Sequence, residues 1–139
     1  MIDHTGINCK DIQKSKIFYQ KSLAPLGYEI VKELSKAQTG GTHVVGFGTE
    51  GKADFWLGEG IPQNPHVHIA FRAPSHEAVE AFFKAAMAAG GKDNGQPGPR
   101  AHYHTGYFGA FVWDLDGHNI EAVCHDAGSE SRELVQFGP

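Results

Sequence analysis

His4-Thr5-Gly6-Ile7-Asn8-Cys9 opens a series that runs through Asp11, Phe18-Tyr19 and Leu23 to Gly27, and the series returns 64 residues later as His68, Phe71, Ser75, Phe82-Phe83, Met87 and Gly91. The match needs no gap. It keeps its register through an apolar strand, a helix start, an apolar helical face and a terminal glycine, so one strand-then-helix unit occurs twice. Each copy opens on a histidine. Pseudo-symmetric packing of the two units would bring those imidazoles toward one cavity, which is how ligands far apart in sequence can reach one metal ion.

Working outward, alternation over residues 2–9 places His4, Gly6 and Asn8 on one strand face and Thr5, Ile7 and Cys9 on the other. Asp11 caps a predicted helix through about Ser22, with Ile12, Ser15, Phe18, Tyr19 and Ser22 as its inner stripe and Pro25 and Gly27 at its end. Three strands are predicted near 28–34, 42–48 and 53–58, separated by turns at Gly40-Gly41 and Gly51. The second copy begins with a strand from His66 to Phe71, then Ser75 as cap. Its helix carries Val79, Phe82, Phe83, Ala86 and Met87 at helical spacing and stops at Gly90-Gly91. A predicted loop, Gly95-Gln96-Pro97-Gly98-Pro99, leads to the strand Phe108 to Trp113, the turn Asp114-Leu115-Asp116-Gly117 and the strand Asn119 to Cys124. The polar segment from Ala127 is expected to fray. The fold class is therefore α+β: two βαβββ modules, residues 1–61 and 62–125, forming a curved mixed sheet around a cleft with the helices outside, and a tail at 126–139.

The chain has 139 residues, enough for one self-sufficient core without staples. Its 12 basic and 16 acidic residues give a net charge of -4 with no basic run, which argues against nucleic acid. No stretch approaches the roughly 18 apolar residues of a membrane span, and no basic-then-apolar leader opens the chain, so a cytoplasmic location is expected. Cys9 and Cys124 lie in apolar strand-like segments without metal or redox spacing, and read as buried reduced thiols. Nine histidines are many for this length, while nucleophile-elbow, P-loop and dinucleotide-binding motifs are absent. Histidine is the expected carrier of any chemistry.

Across the turn, Trp113 is expected opposite Asn119 and Phe111 opposite Glu121, so Glu121 shares a face with Phe111 and Trp113. Ile120, Ala122 and Cys124 then face the helix. An acid in an apolar strand must be solvated, paired or bound to a cation. His4, His68 and Glu121 make a His2Glu set suited to Zn, Mn, Fe or Ni with open coordination positions. A single strand histidine is more often a hydrogen-bonded structural residue; the equivalence of His4 and His68 under the repeat sets this pair apart.

With these residues in place, the chain resembles the vicinal oxygen chelate superfamily of glyoxalases, extradiol dioxygenases, fosfomycin-resistance thiol transferases and bleomycin-binding proteins. The resemblance rests on Ile2-Asp3-His4, the Asp11 to Gly27 helix with Phe18-Tyr19, His68-Ile69-Ala70 and above all Asp114-Leu115-Asp116-Gly117-His118-Asn119-Ile120-Glu121. It implies a glyoxalase-like domain over residues 1–125, a divalent metal ion held by His4, His68 and Glu121, a catalytic role for Glu121, and a homodimer. Where glyoxalase I-like members bring a fourth ligand, a glutamate, the matching stretch here puts Trp56, and Asp54 is a weak substitute. Methylglyoxal isomerisation loses a candidate base accordingly. Gly6 stands where the fosfomycin enzymes would offer a hydroxyl, and their serine-rich cation loop is absent between Gly98 and Gly109.

The loop Arg100, His102, Tyr103, His104 and Tyr107 would enter the cavity mouth, with Arg100, His104 and Tyr107 as candidate substrate contacts. Trp56, Phe111 and Trp113 would wall the pocket, although aromatic strand residues are also ordinary core. His43, His66, His76, His118 and His125 read as surface or packing residues. Two functions fit: a metal-dependent enzyme acting on a small oxygenated substrate by lyase or isomerase, thiol-transfer or dioxygenase chemistry, or a protein that sequesters an antibiotic-like ligand.

Overall fold

The computed structural model describes residues 1–125; the tail predicted at 126–139 lies outside the described residues. The first module is β1 (Thr5–Cys9), α1 (Ile12–Leu23), β2 (Glu29–Leu34), a short α2 (Lys36–Thr39), β3 (Val44–Thr49) and β4 (Lys52–Glu59). The second is β5 (His68–Arg72), α3 (His76–Ala88), β6 (Lys92–Pro99), β7 (Tyr107–Trp113) and β8 (Asn119–His125). Asp11 accepts from the amides of Gln13 and Lys14, and Ser75 from that of Ala78, so each long helix starts at the predicted cap. Among the described residues no helix is long and apolar enough to cross a membrane.

The strand orders are the same in both modules, β1-β4-β3-β2 and β5-β8-β7-β6, and β1 and β5 each pair in parallel with the last strand of their module. The repeat in the sequence is thus a repeat of topology. Hydrogen bonding divides the expected curved sheet into two four-stranded ladders, each packed on a helix, with α1 touching α3. The core is continuous between them: Phe18, Tyr19, Phe47 and Phe55 meet Phe71, Val79, Phe82 and Ile120. Of the predicted apolar face of α3, Phe83 is only partly buried and Met87 lies on the surface.

One prediction needs correction. The segment predicted as a loop, Gly95 to Pro99, belongs to β6, which pairs with β7 through two register irregularities. Glycine and proline interrupt a ladder without preventing it when the strand lies at the sheet edge, and β6 is such an edge.

The Asp114 to Gly117 turn joins the modules. Asp114 accepts from the amides of Asp116 and His118, both at 2.9 Å, and from the buried Tyr19 hydroxyl of α1. Burial, then the neighbouring Asp114 carboxylate, pushes the Tyr19 phenol well up, so it remains a donor. Asp116 accepts from the Lys10 amide at 3.1 Å and the Ser15 hydroxyl at 3.4 Å. Gly117 closes the turn at φ +86°, a region unfavourable to side chains. His118 is fully buried: Nδ1 accepts from the Val67 amide at 3.2 Å, and Nε2 faces the Asn8 carbonyl at 3.4 Å. Its place is between the modules.

Cys9 and Cys124 are buried thiols. Burial pushes the Cys9 thiol up to about 11, against the Ser15 hydroxyl that favours its thiolate. The thiolate is the reactive form, so at pH 8 only about one part in a thousand is reactive. Native protein treated with iodoacetamide at that pH should stay unmodified at Cys9 by mass spectrometry, and should be alkylated there promptly once unfolded. The raised value also means the folded state holds the proton longer than the unfolded one. This contribution is fully present below about pH 9 and is lost as pH rises toward about 11.

Candidate metal centre

In the second module, the antiparallel register places Tyr107 opposite His125, Gly109 opposite Val123, Phe111 opposite Glu121 and Trp113 opposite Asn119. These residues share the face turned away from α3, while Ile120 and Ala122 point into the core, as the hairpin alignment predicts. Glu121 is only 1% exposed. Its Oε1 lies 2.7 Å from Nε2 of His68, which enters from β5, and its Oε2 accepts from the Tyr107 hydroxyl. Burial, then this hydrogen bond, pushes the Tyr107 phenol up, so it too remains a donor.

Arg100, just past β6, is engaged with that strand. Its guanidinium donates to the carbonyls of Gln96 at 2.7 Å and Gly98 at 3.0 Å, and lies 5.5 Å from the Phe111 ring centre. The side chain expected to contact substrate is engaged in fastening β6. Phe111 is half-buried between this cation and the His68 ring, 6.2 Å away. His104 packs edge-on against His125 at 5.7 Å, and Nδ1 of each is buried without a hydrogen-bond partner among the described residues. Burial, then His104 and Arg72, lowers the pKa of His125. His125 and Arg72 are additions to the predicted set. The alternation of β8 and β5 contained them, since Glu121 and His125, like His68 and Arg72, are four residues apart on one strand face.

His4 lies elsewhere. It precedes β1 as an exposed side chain, and its Nδ1 is 2.7 Å from Asp3, whose other oxygen meets Lys52 at 2.9 Å. The His4 hydrogen bond, then Lys52, holds the Asp3 carboxyl below its usual range. In the first sheet Gly6 pairs with Trp56, and the Trp56 indole covers Gly46, where a Cβ would lie 2.9 Å from the ring. Asp54 accepts from Tyr28 at 2.9 Å and leaves its other oxygen buried and, among the described residues, unpartnered. Among the described residues no ring contact joins Trp56 to Phe111 or Trp113. Nor do three His, Cys, Asp or Glu side chains among them gather closely enough to hold a metal ion. A single chain brings together His68 and Glu121, with His4 outside the pair.

The half-site fits a divalent cation on its own chemistry. A carboxylate oxygen and an imidazole nitrogen, both ordinary ligands of a divalent ion, face each other at 2.7 Å. His4 is oriented by a carboxylate on Nδ1, the arrangement that leaves Nε2 as a metal donor.

Comparisons with known proteins agree with this architecture. A sequence model of the Glyoxalase/Bleomycin resistance protein/Dioxygenase superfamily matches residues 1–122. A glyoxalase/bleomycin resistance protein from Albidiferax ferrireducens is similar in structure, with TM-score 0.65 and 24% identity over 89% of this chain and 98% of that one. So is a mutant of the genomically encoded fosfomycin resistance protein FosX from Listeria monocytogenes, complexed with Mn(II) and a dihydroxypropylphosphonic acid: TM-score 0.65, 22% identity, 96% of this chain and 97% of that one. A mutant of glyoxalase I from Zea mays aligns at TM-score 0.66 and 20% identity over 88% of this chain and 46% of the other. No curated protein matches the sequence. With the family model spanning both modules up to β8, the chain belongs to the Glyoxalase/Bleomycin resistance protein/Dioxygenase superfamily.

Proposed function

We propose that the protein is a divalent-metal-dependent enzyme acting on a small oxygenated substrate by lyase or isomerase, thiol-transfer or dioxygenase chemistry, with a metal centre made from His68 and Glu121 of one chain and His4 of a second copy. The observation that carries this reading is Glu121, a carboxylate 1% exposed that meets an imidazole and a phenol but, among the described residues, no Lys or Arg. A buried charge with so little compensation is costly unless a cation arrives. The Mn(II) complex of FosX, a protein of similar fold, supports the choice of a divalent ion.

The ion would supply Lewis acidity toward two substrate oxygens and the oxyanion or enolate formed from them. Glu121 and His68 hold it from one side. Phe111 offers an apolar wall, and Trp56 would offer another from the first module. Trp56 in place of a carboxylate leaves a proton shuttle between adjacent carbons without its base on that side.

Completion across two chains is favoured because His4, just ahead of β1, and the His68–Glu121 pair of the second ladder do not meet in one chain. A two-fold dimer that sets the first sheet of one protomer against the second sheet of its partner would form the site twice. The test is to mix His4→Ala protein with Glu121→Ala protein after mild dissociation. Neither variant alone should bind Mn(II) tightly, whereas each mixed dimer should regain one intact site of two, read by equilibrium dialysis. If the mixture binds no more than its components, the shared site is wrong. Wild-type protein purified without chelator should carry a divalent metal; metal-free protein that takes up none on titration would point to the sequestering reading instead.

A further inference from the structure

Tyr107 does not lie beside Glu121 along the hairpin. Its backbone pairs with His125, four register positions from the Phe111–Glu121 pair, and the residue between on the same face is Gly109. A Cβ on Gly109 would lie 3.1 Å from Cε1 of Tyr107 and 3.4 Å from Oε2 of Glu121. The phenol therefore crosses the space left by the missing side chain to reach the carboxylate. Its ring is held edge-on by Tyr103 at 5.2 Å and by His125 at 5.4 Å. With Oε2 engaged by this donor, Oε1 is the oxygen turned to His68.

We propose that Tyr107 and Gly109 form a positioning device for the metal centre: Tyr107 occupies Oε2 of Glu121 so that the carboxylate presents Oε1 alone beside His68, and Gly109 leaves the room the phenol crosses, since a Cβ there would push the ring by a few tenths of an ångström. The inference rests on the metal reading above and assigns Tyr107 a role behind the ligand rather than against the substrate. Outer partners of this kind restrict how a ligand can turn. Without the hydroxyl, Oε2 is a buried acceptor free to swing toward the ion.

The experiment titrates metal-free, full-length protein with Mn(II) alone and records the visible spectrum with Co(II), using wild type, Tyr107→Phe, Gly109→Ala and the double variant, with Glu121→Ala for reference. Tyr107→Phe should weaken Mn(II) binding by roughly 10- to 100-fold, the scale of an outer-partner loss. Gly109→Ala, which makes the ring give by a few tenths of an ångström, should weaken it in the same direction but by less than Tyr107→Phe, and the double variant should be no worse than Tyr107→Phe alone, because Gly109 acts only through that hydrogen bond. The Co(II) spectrum should change in the same way in both single variants. Wild-type affinity and an unchanged spectrum in Tyr107→Phe, or losses that multiply in the double variant, would overturn the device while leaving the metal site standing. Failure of the wild type to bind metal, or full binding by Glu121→Ala, would overturn the metal reading and the device with it. Tyr107→Phe keeps every ring contact, so it decides the matter even if Gly109→Ala does not fold.

Discussion

Glu121→Ala should lower divalent-metal affinity by more than about 100-fold, above the roughly 10- to 100-fold range of an outer-partner loss, because it removes the only carboxylate of the proposed centre. The same variant should lose metal-linked stabilisation. Metal at about 100 times its dissociation constant raises wild-type stability by roughly 2.7 kcal/mol, so the wild-type melting temperature should climb with added Mn(II) while that of Glu121→Ala stays level. Glu121→Gln keeps the shape and an acceptor for Tyr107 but loses the charge. Metal-free, it should be at least as stable as the wild type, since it removes a buried carboxylate that no Lys or Arg among the described residues neutralises. Calorimetric titration and thermal melts with and without chelator test both statements. Wild-type stoichiometry and an undiminished melting shift in the alanine variant would remove Glu121 from the centre.

The other large effect concerns stability. Asp114→Ala would leave the buried Tyr19 hydroxyl and the amides of Asp116 and His118 without their acceptor. Each unsatisfied buried group costs about 1–3 kcal/mol, so a loss of roughly 3 kcal/mol or more is expected. Tyr19→Phe alone should cost less, because it leaves Asp114 its two amides. The turn also holds α1 through Asp116, so urea unfolding of Asp114→Ala should show whether the modules separate before they melt. A midpoint within experimental error of wild type would mean that the turn does not bind the modules together.

His4→Ala and His68→Ala need not behave alike before assembly. His68 shares a hydrogen bond with a buried carboxylate, and its removal leaves that charge with Tyr107 as its remaining partner among the described residues. His4 is exposed and paired with Asp3. Equivalence under the repeat is equivalence of position, and the two environments differ because His4 meets the exposed Asp3 whereas His68 meets the buried Glu121.

Several elements followed from residue type and spacing alone. Asp11 and Ser75 mark helix starts because a short polar side chain there satisfies amides that the helix leaves unpaired. The turn of Asp114 to Gly117 pins the β7–β8 register, and period-two alternation then puts Glu121 opposite Phe111 on the face away from α3. The same register contained the approach of Tyr107 over Gly109, though the crossing uses the room that the glycine leaves. β6 escaped prediction because its glycines and prolines carry the composition of a loop, and only pairing with β7 makes it a strand.

The sequence by itself determined the repeated unit, its helix starts and which strand faces carry His68 and Glu121, since these are local consequences of spacing and backbone preference, whereas the strand predicted over residues 2–9 begins at Thr5 and leaves His4 ahead of it. Tertiary structure decided what those faces meet. It placed His68 and Tyr107 on opposite oxygens of one buried carboxylate, engaged Arg100 with the end of β6, buried His118 between the modules and kept His4, ahead of β1, apart from the pair. Such contacts join residues distant along the chain, and the choice among possible partners is made by packing two modules against a shared core, which no local pattern encodes.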